Sequence, residues 1–369
     1  MTAGFLVRFA RALLLRDRPV YVHYAVTARC NLRCRSCVIW RRREQVAELE
    51  LSEIRELAAT LFRLGCAQVS LGGGEPALRP DLGEIVRTFQ ERGIRTRVLT
   101  NGVSLTPELA RDLVGAGLRE VSFSLDSLRP ALQERLDGVK GTFQRRIDNL
   151  LALAEILPRR GALPILNTVV TPENLNELPR IAQLARALGF YISFIPVHLS
   201  PAAIEHRFYS QAAELRFGPA DREALEAAYR ELLALRRWGG RVVNSSRFLR
   251  QSPAYMISGQ ASWPCRAGEL FMSVGPDGKV APCHAFEGRW ELDHRDLERQ
   301  LGSRAHRAEL RRRVASCEGC FRPCWAEVAL MLQDPVSLLE MAQVQVTARL
   351  RRRRVDRAAV AALLAGEGR

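Results

Sequence analysis

From Val20 to Pro196, short apolar runs alternate with longer stretches in which apolar positions recur every three or four residues. The short runs read as strands and the long ones as amphipathic helices. Strands are predicted at Tyr21–Val26, Gln68–Leu71, Thr96–Leu99, Glu120–Leu125, Pro164–Val169 and Tyr191–Ile195. Helix starts fall at Ser52 before Glu53, at Thr106 before Pro107 and Glu108, and at Thr171 before Pro172 and Glu173. Each pairs a capping side chain with residues suited to a first turn. Gly65, Gly93, Gly117 and Gly189 mark the helix ends. Strand–helix repetition of this kind gives parallel strands joined by right-handed crossovers. Six such units make either an open, partial barrel or a doubly wound sheet, and the pattern alone leaves both open.

Beyond Pro196 the pattern loosens. Ala220–Arg237 reads as a helix and Ser252–Pro264, rich in Ser, Pro and Gly, as a linker. Leu270–Val274 and Lys279–Pro282 flank Pro276-Asp277-Gly278, a strong turn signal, so a hairpin is predicted there. Helices follow around Ala326–Gln333 and Val336–Arg349. Ahead of the first strand, Phe5–Leu15 is apolar but broken by Arg8 and Arg11. It lacks the uninterrupted centre and cleavage site of a signal peptide and reads as an amphipathic helix packed on the barrel. The expected division is an N-terminal helix at 1–19, a barrel at 20–251, a smaller cysteine-bearing domain at 252–335 and an Arg-rich helical tail at 336–369.

Composition narrows the classes. With 369 residues, 47% hydrophobic and 26% charged, the chain is neither disordered nor a small disulfide scaffold. No apolar run approaches the roughly 20 residues of a membrane span, and a cytoplasmic location is expected. The net charge is +15, yet lysine occurs only at Lys140 and Lys279, leaving 53 arginines (55 − 2). Arginine spread this evenly does not favour a nucleic-acid partner. The runs Arg311–Arg313 and Arg351–Arg354 read as solvated helix faces.

The nine cysteines say more. Cys30, Cys34 and Cys37 stand together as C-x3-C-x2-C directly after the first strand. Cys265, Cys283, Cys317, Cys320 and Cys324 lie in the last third, and Cys66 stands alone in a helix-to-strand corner as a buried apolar residue would. An odd count in a reducing compartment argues against disulfides. Three thiols on one short loop suit a cubane iron–sulfur cluster with one iron open to a small molecule. Zinc, the competing metal, usually draws on paired C-x2-C knuckles.

On these residues the chain resembles the radical S-adenosylmethionine (radical SAM) superfamily. The resemblance extends to Gly73-Gly74-Glu75-Pro76 after the second strand, the place of the motif that contacts the amino group of S-adenosylmethionine. Glycines there allow close backbone approach, and Glu75 is able to accept a hydrogen bond from an ammonium. The resemblance implies a partial (β/α)6 barrel. It implies a [4Fe–4S] cluster held by Cys30, Cys34 and Cys37, and cofactor contacts from Ser122, Ser124, Asp126 and Asn167 at strand ends. Thr100-Asn101-Gly102 matches a turn frequent in the family, whereas Ser36 stands where an aromatic residue is usual. The later cysteines resemble the SPASM or twitch extension, implying an auxiliary [4Fe–4S] cluster drawn from Cys265, Cys283, Cys317, Cys320 and Cys324. Five thiols for four places leave one spare, and zinc is the alternative occupant.

The implied reaction is reductive cleavage of S-adenosylmethionine to a 5′-deoxyadenosyl radical, which abstracts hydrogen from the substrate. Flavodoxin or ferredoxin would supply the electron. Oxidative modification or maturation of a peptide or small molecule is the expected outcome, with RNA, lipid or tetrapyrrole side chains as alternatives. No general base is assigned. His198, Glu205 and His206 follow the sixth strand and read as exposed loop positions.

Overall fold

The computed structural model describes residues 7–11, 14, 18–42, 46–200, 207–261, 263–317, 319–331 and 333–366. Six parallel strands form its centre: β1 Tyr21–Thr27, β2 Gln68–Gly73, β3 Arg95–Thr100, β4 Glu120–Ser124, β5 Leu163–Val170 and β6 Tyr191–Pro196. They lie in the order β6-β5-β4-β3-β2-β1. A doubly wound sheet reverses its strand order at a switch point. Here every strand adds to the same side of the last, which is the winding of an open barrel. The sheet then continues: β7 Phe271–Val274 pairs in parallel with β1, and β8 Lys279–Ala281 and β9 Leu292–Asp293 follow in antiparallel.

Helices Leu51–Arg63, Leu82–Glu91, Pro107–Gly115, Phe143–Ile156 and Leu178–Ala187 bury apolar stripes such as Ile54, Leu57 and Leu61 in one core with the strands' outward residues, Val22, Val69 and Val98 among them. The inward positions carry polar side chains, including His23, Arg97, Ser122, Asn167 and Ser193. They border a cavity of about 550 Å³, closed partly by helices Pro323–Met331 and Pro335–Leu350. No helix among the described residues is long and apolar enough to cross a membrane.

Four expectations about the fold need correction. Ser52 lies inside helix Leu51–Arg63, whose cap position is Glu50 in a reciprocal box with Glu53. The segment from Ser252 is helical up to Ser258, within helix Ser246–Ser258. Ser245 caps that helix, and the Ser252 hydroxyl bonds the Phe248 carbonyl one residue before Pro253. Thr171 caps no α-helix: its backbone and hydroxyl donate to Asn174 in a turn, and the helix starts only at Leu178. Arg353, expected in a solvated run, is 3% exposed and donates to the carbonyls of Ala154 and Leu188. Of the N-terminal segment, residues 1–6, 12–13 and 15–17 lie outside the described residues. Arg8 does pack on the barrel, bonding the carbonyls of Cys66 and Gly93.

Candidate functional site

The first cysteine loop leaves the end of β1 and is braced on both flanks. On one side the Arg33 and Arg35 amides donate to the carbonyls of Asp137 (2.9 Å) and Leu136 (3.0 Å) at the end of helix Pro130–Asp137. Gly138 follows with φ 67°, and a Cβ there would stand 2.3 Å from the Arg33 carbonyl, so only glycine permits this approach. On the other side Val38 donates to Phe208 (3.0 Å) and Ser210 to Ser36 (3.1 Å). Cys30, Cys34 and Cys37 are half-buried free thiols on this loop. Burial pushes the Cys30 thiol up to about 12 and raises Cys34 and Cys37 as well, and Cys34 also feels Asp137 and the other two thiols.

Gly73 and Gly74 press against the root of the same loop. A Cβ on Gly73 would meet the Thr27 carbonyl at 2.3 Å, and one on Gly74 the Arg29 carbonyl at 2.0 Å. The Gly74 and Glu75 amides bond those same two carbonyls, each at 2.8 Å. Glu75 is 1% exposed, and its carboxylate is already occupied. It accepts from Ala77 N (3.0 Å), Thr100 Oγ1 (2.7 Å) and Asn101 N (2.7 Å). Glu75 therefore acts as a strut to the Thr100–Gly102 turn, and the backbone of Gly73 and Gly74 is what lies along the cysteine loop. Burial raises its pKa, a shift those three donors oppose.

The strand-end residues divide. Ser122 and Asn167 line the cavity. Ser124 pairs with Asn167 across β4 and β5 and does not line it. Asp126 turns toward β5, accepting from Val169 N at 2.7 Å, and burial pushes its carboxyl up to about 7. His198 is buried rather than exposed: Nδ1 lies 2.8 Å from the Pro196 carbonyl and Nε2 accepts from Phe321 N at 3.0 Å. Glu205 and His206 lie outside the described residues.

The second cysteine group is gathered from several segments. Cys283, after β8, feels Cys320, Cys265 and Cys317, and Cys265 feels Cys317. Cys324, in the first turn of helix Pro323–Met331, instead lines the barrel cavity and senses Tyr21, Arg97 and Tyr209. Cys265, Cys283, Cys317 and Cys320 are thus linked through Cys283, and Cys324, which borders the lumen, also lies within range of Cys320. Between this group and the barrel runs a polar chain that sequence reasoning missed. The Arg322 guanidinium contacts Tyr209 and lies 2.7 Å from His284 Nδ1, and His284 Nε2 lies 3.0 Å from His23 Nδ1. Burial drives His23 down to about 3. Its one sequence signal is the alternation that points Tyr21 and His23 to the same side of β1.

Thiolates are the donors that iron–sulfur clusters use. A cubane takes each thiolate on a separate iron. Three thiols on one loop fit a cluster with one open iron, and the five thiols of the second group offer enough ligands for a fully ligated one.

Residues 24–185 match the family described as the Radical SAM superfamily. The chain is 31% identical over 274 residues to the PqqA peptide cyclase of Ruegeria pomeroyi, covering 73% of this chain and 68% of that protein. It is 32% identical over 218 residues to the AdoMet-dependent heme synthase of Methanosarcina barkeri, covering 55% of this chain and 61% of that one. Its fold is that of Streptococcus suis SuiB bound to S-adenosylmethionine, with a TM-score of 0.61 at 16% identity over 79% of this chain and 68% of that one. It also matches anSMEcpe with bound AdoMet and Cp18Cys peptide, with a TM-score of 0.58 at 16% identity over 92% and 99% of the two chains. The chain belongs to the radical SAM superfamily and is an enzyme of that class, using S-adenosylmethionine and a [4Fe–4S] cluster.

Proposed function

We propose that this protein modifies a peptide oxidatively, with Cys30, Cys34 and Cys37 holding the catalytic [4Fe–4S] cluster. Cys265, Cys283, Cys317 and Cys320 hold an auxiliary [4Fe–4S] cluster. The barrel together with helices Pro323–Met331 and Pro335–Leu350 bounds the reaction chamber, and the segment after helix Ser246–Ser258 supplies the second centre. The observation that carries the reading is the stacking of Gly73 and Gly74 on the root of the three-cysteine loop, within 2.0–2.3 Å of a hypothetical Cβ. That contact fixes the Gly73–Gly74 turn against the loop whose cysteines would hold the cluster. Peptide as substrate draws support from the PqqA peptide cyclase relatives.

Held by Cys30, Cys34 and Cys37, the cluster with S-adenosylmethionine would supply the one-electron chemistry that yields a hydrogen-abstracting 5′-deoxyadenosyl radical. The chain's own work is to place and shield. Ser122 and Asn167 offer hydrogen bonds from the cavity wall, and the aliphatic lining of β5, β6 and helix Pro335–Leu350 excludes water. The electron comes from a reduced flavodoxin or ferredoxin, consistent with free thiols in a reducing, cytoplasmic setting.

The test is anaerobic reconstitution with iron and sulfide, followed by a dithionite assay for 5′-deoxyadenosine with iron counted on the same sample. Nucleoside together with two clusters' worth of iron is the expected result. Nucleoside with one cluster's worth overturns the auxiliary-cluster assignment, and iron without nucleoside overturns the assignment of the first site.

A further inference from the structure

Arg146 lies in helix Phe143–Ile156 and is 1% exposed, among the largest fully enclosed side chains. Burying a guanidinium is costly unless its donors meet acceptors. Nε donates to the Asn101 carbonyl at 2.9 Å, and Nη1 forms an ion pair with Asp137 Oδ2 at 2.7 Å, a charge contact in which neither atom makes a well-directed hydrogen bond. These two partners belong to opposite walls of the cofactor site. Asn101 donates its amide to Glu75 (2.7 Å) and its side chain to Asn31 (2.7 Å), the neighbour of Cys30. Asp137 offers its carbonyl to Arg33, inside the cysteine loop, and its carboxylate to Gln133 at 3.1 Å. Gln133 in turn accepts from the Asp126 amide at 2.8 Å. Cys34, Glu75, Asp126 and Asp137 all lie within range of the Arg146 charge.

We propose that Arg146 is a positioning residue for the S-adenosylmethionine and cluster site. By gripping Asn101 and Asp137 at once, it ties the Glu75 turn to the back of the cysteine loop. That tie holds the Gly73–Gly74 backbone against the face where the cofactor binds. A guanidinium suits the task because its planar fork reaches two acceptors in fixed directions, whereas an ammonium is a single point charge. A helix carries it, so the tie is anchored on a rigid element rather than on a loop. The inference rests on the assignment of the first site made above.

The test uses Arg146→Met, Arg146→Lys and the double variant Arg146→Met/Asp137→Leu, which leaves no orphan carboxylate. Iron content, melting temperature, KM and kcat for 5′-deoxyadenosine formation, and the EPR spectrum with and without S-adenosylmethionine are measured on reconstituted protein. Amide hydrogen exchange over residues 30–37 and 99–104 is measured before reconstitution. Arg146→Met should retain iron, raise KM for S-adenosylmethionine by about 10–100-fold with a smaller effect on kcat, and weaken the cofactor-induced change in the EPR spectrum. It should also speed exchange in both segments. Arg146→Lys should recover part of this loss. The double variant should regain melting temperature without regaining KM. If Arg146→Met loses iron, the lysine and double variants decide the matter. Wild-type KM and exchange in Arg146→Met overturn the proposal, as does a double variant that regains KM together with melting temperature. Wild-type protein that forms no nucleoside defeats the site assignment instead, and the exchange data then still judge whether Arg146 ties the two walls.

Discussion

The two cysteine groups are assembled on different plans. Cys30, Cys34 and Cys37 share one loop, and the elements that brace it (the Gly73–Pro76 turn, the end of helix Pro130–Asp137, the strip around Phe208) all press on its backbone. The second group brings Cys265 and Cys283 from either side of the β7–β8 hairpin to meet Cys317 and Cys320 from a distant loop. Local spacing therefore builds the first site, while tertiary packing builds the second. Trp263 shows the latter at work, donating its indole N–H to the Cys320 carbonyl at 2.6 Å. The first site has its thiols brought together by chain spacing and is then braced by hydrogen bonds from distant segments. A site built by packing depends on every segment that converges on it.

The largest effects separate the two plans outright. Cys34→Ala should abolish 5′-deoxyadenosine formation, measured by chromatography after dithionite reduction. Cys283→Ala should spare uncoupled nucleoside formation, lose the second cluster's share of iron and stop product formation. Full product formation by Cys283→Ala would break the comparison, since the packed site would then be dispensable.

Within the second group the contrast sharpens on one atom. Cys317→Ser and Cys320→Ser should each lose that same share of iron, and Cys324→Ser should keep it, because Cys324 lines the lumen. Mössbauer spectra on iron-57-reconstituted protein check this directly. Equal loss from Cys320→Ser and Cys324→Ser would return Cys324 to the ligand set.

Next in size is the glycine that seats the first loop. Gly74→Ala puts a Cβ 2.0 Å from the Arg29 carbonyl, a backbone atom that cannot swing aside. Overpacking of this kind costs about 1–3 kcal/mol, read as a lower melting temperature and faster loss of iron. Gly115→Ala is the control: its Cβ would meet nothing within 4 Å, and it ends a helix without positive φ. It should be neutral, or stabilising by about 0.4–1 kcal/mol.

How much of this was legible in the sequence follows the same division. The six parallel strands and the glycine helix ends were readable because hydrophobic period and turn chemistry are local signals. Their one-way order, which decides for the open barrel, is a matter of pairing and was not. The three-cysteine loop was readable from spacing alone. Glu75 was singled out by its motif, but its partners Thr100 and Asn101 come from the neighbouring strand end, and only the sheet brings them within 2.7 Å. The spare cysteine could not be picked from C-x2-C-x3-C, because only the fold shows that Cys324 starts a helix and borders the barrel cavity. Arg353 and His198 looked like surface residues for a related reason: their partners are carbonyls and amides far away in sequence.

The smallest expected effect concerns a carboxyl that links the two regions. Glu327 lines the cavity from helix Pro323–Met331 and accepts from the Ser245 amide at 2.8 Å, while its second oxygen is buried without a partner. Burial pushes its pKa up to about 7, with Arg236 pulling down and Glu340 pushing further up. A carboxyl raised in the folded state binds its proton more tightly there than in the unfolded chain. Its contribution to stability is present below the ordinary carboxylate range and is lost as pH rises through about 7. Glu327→Gln keeps the acceptor and removes the titration, so its melting temperature should fall less than that of the wild type between pH 5 and 8. The difference should correspond to roughly 1–3 kcal/mol at the upper end. Asp126 and Glu287, raised by burial to about 7 and about 8, titrate in the same direction and leave the variant a residual slope. Parallel curves for variant and wild type would mean that Glu327 stays charged in the fold, and that the wall between the barrel and the second cysteine group is wetter than its burial indicates.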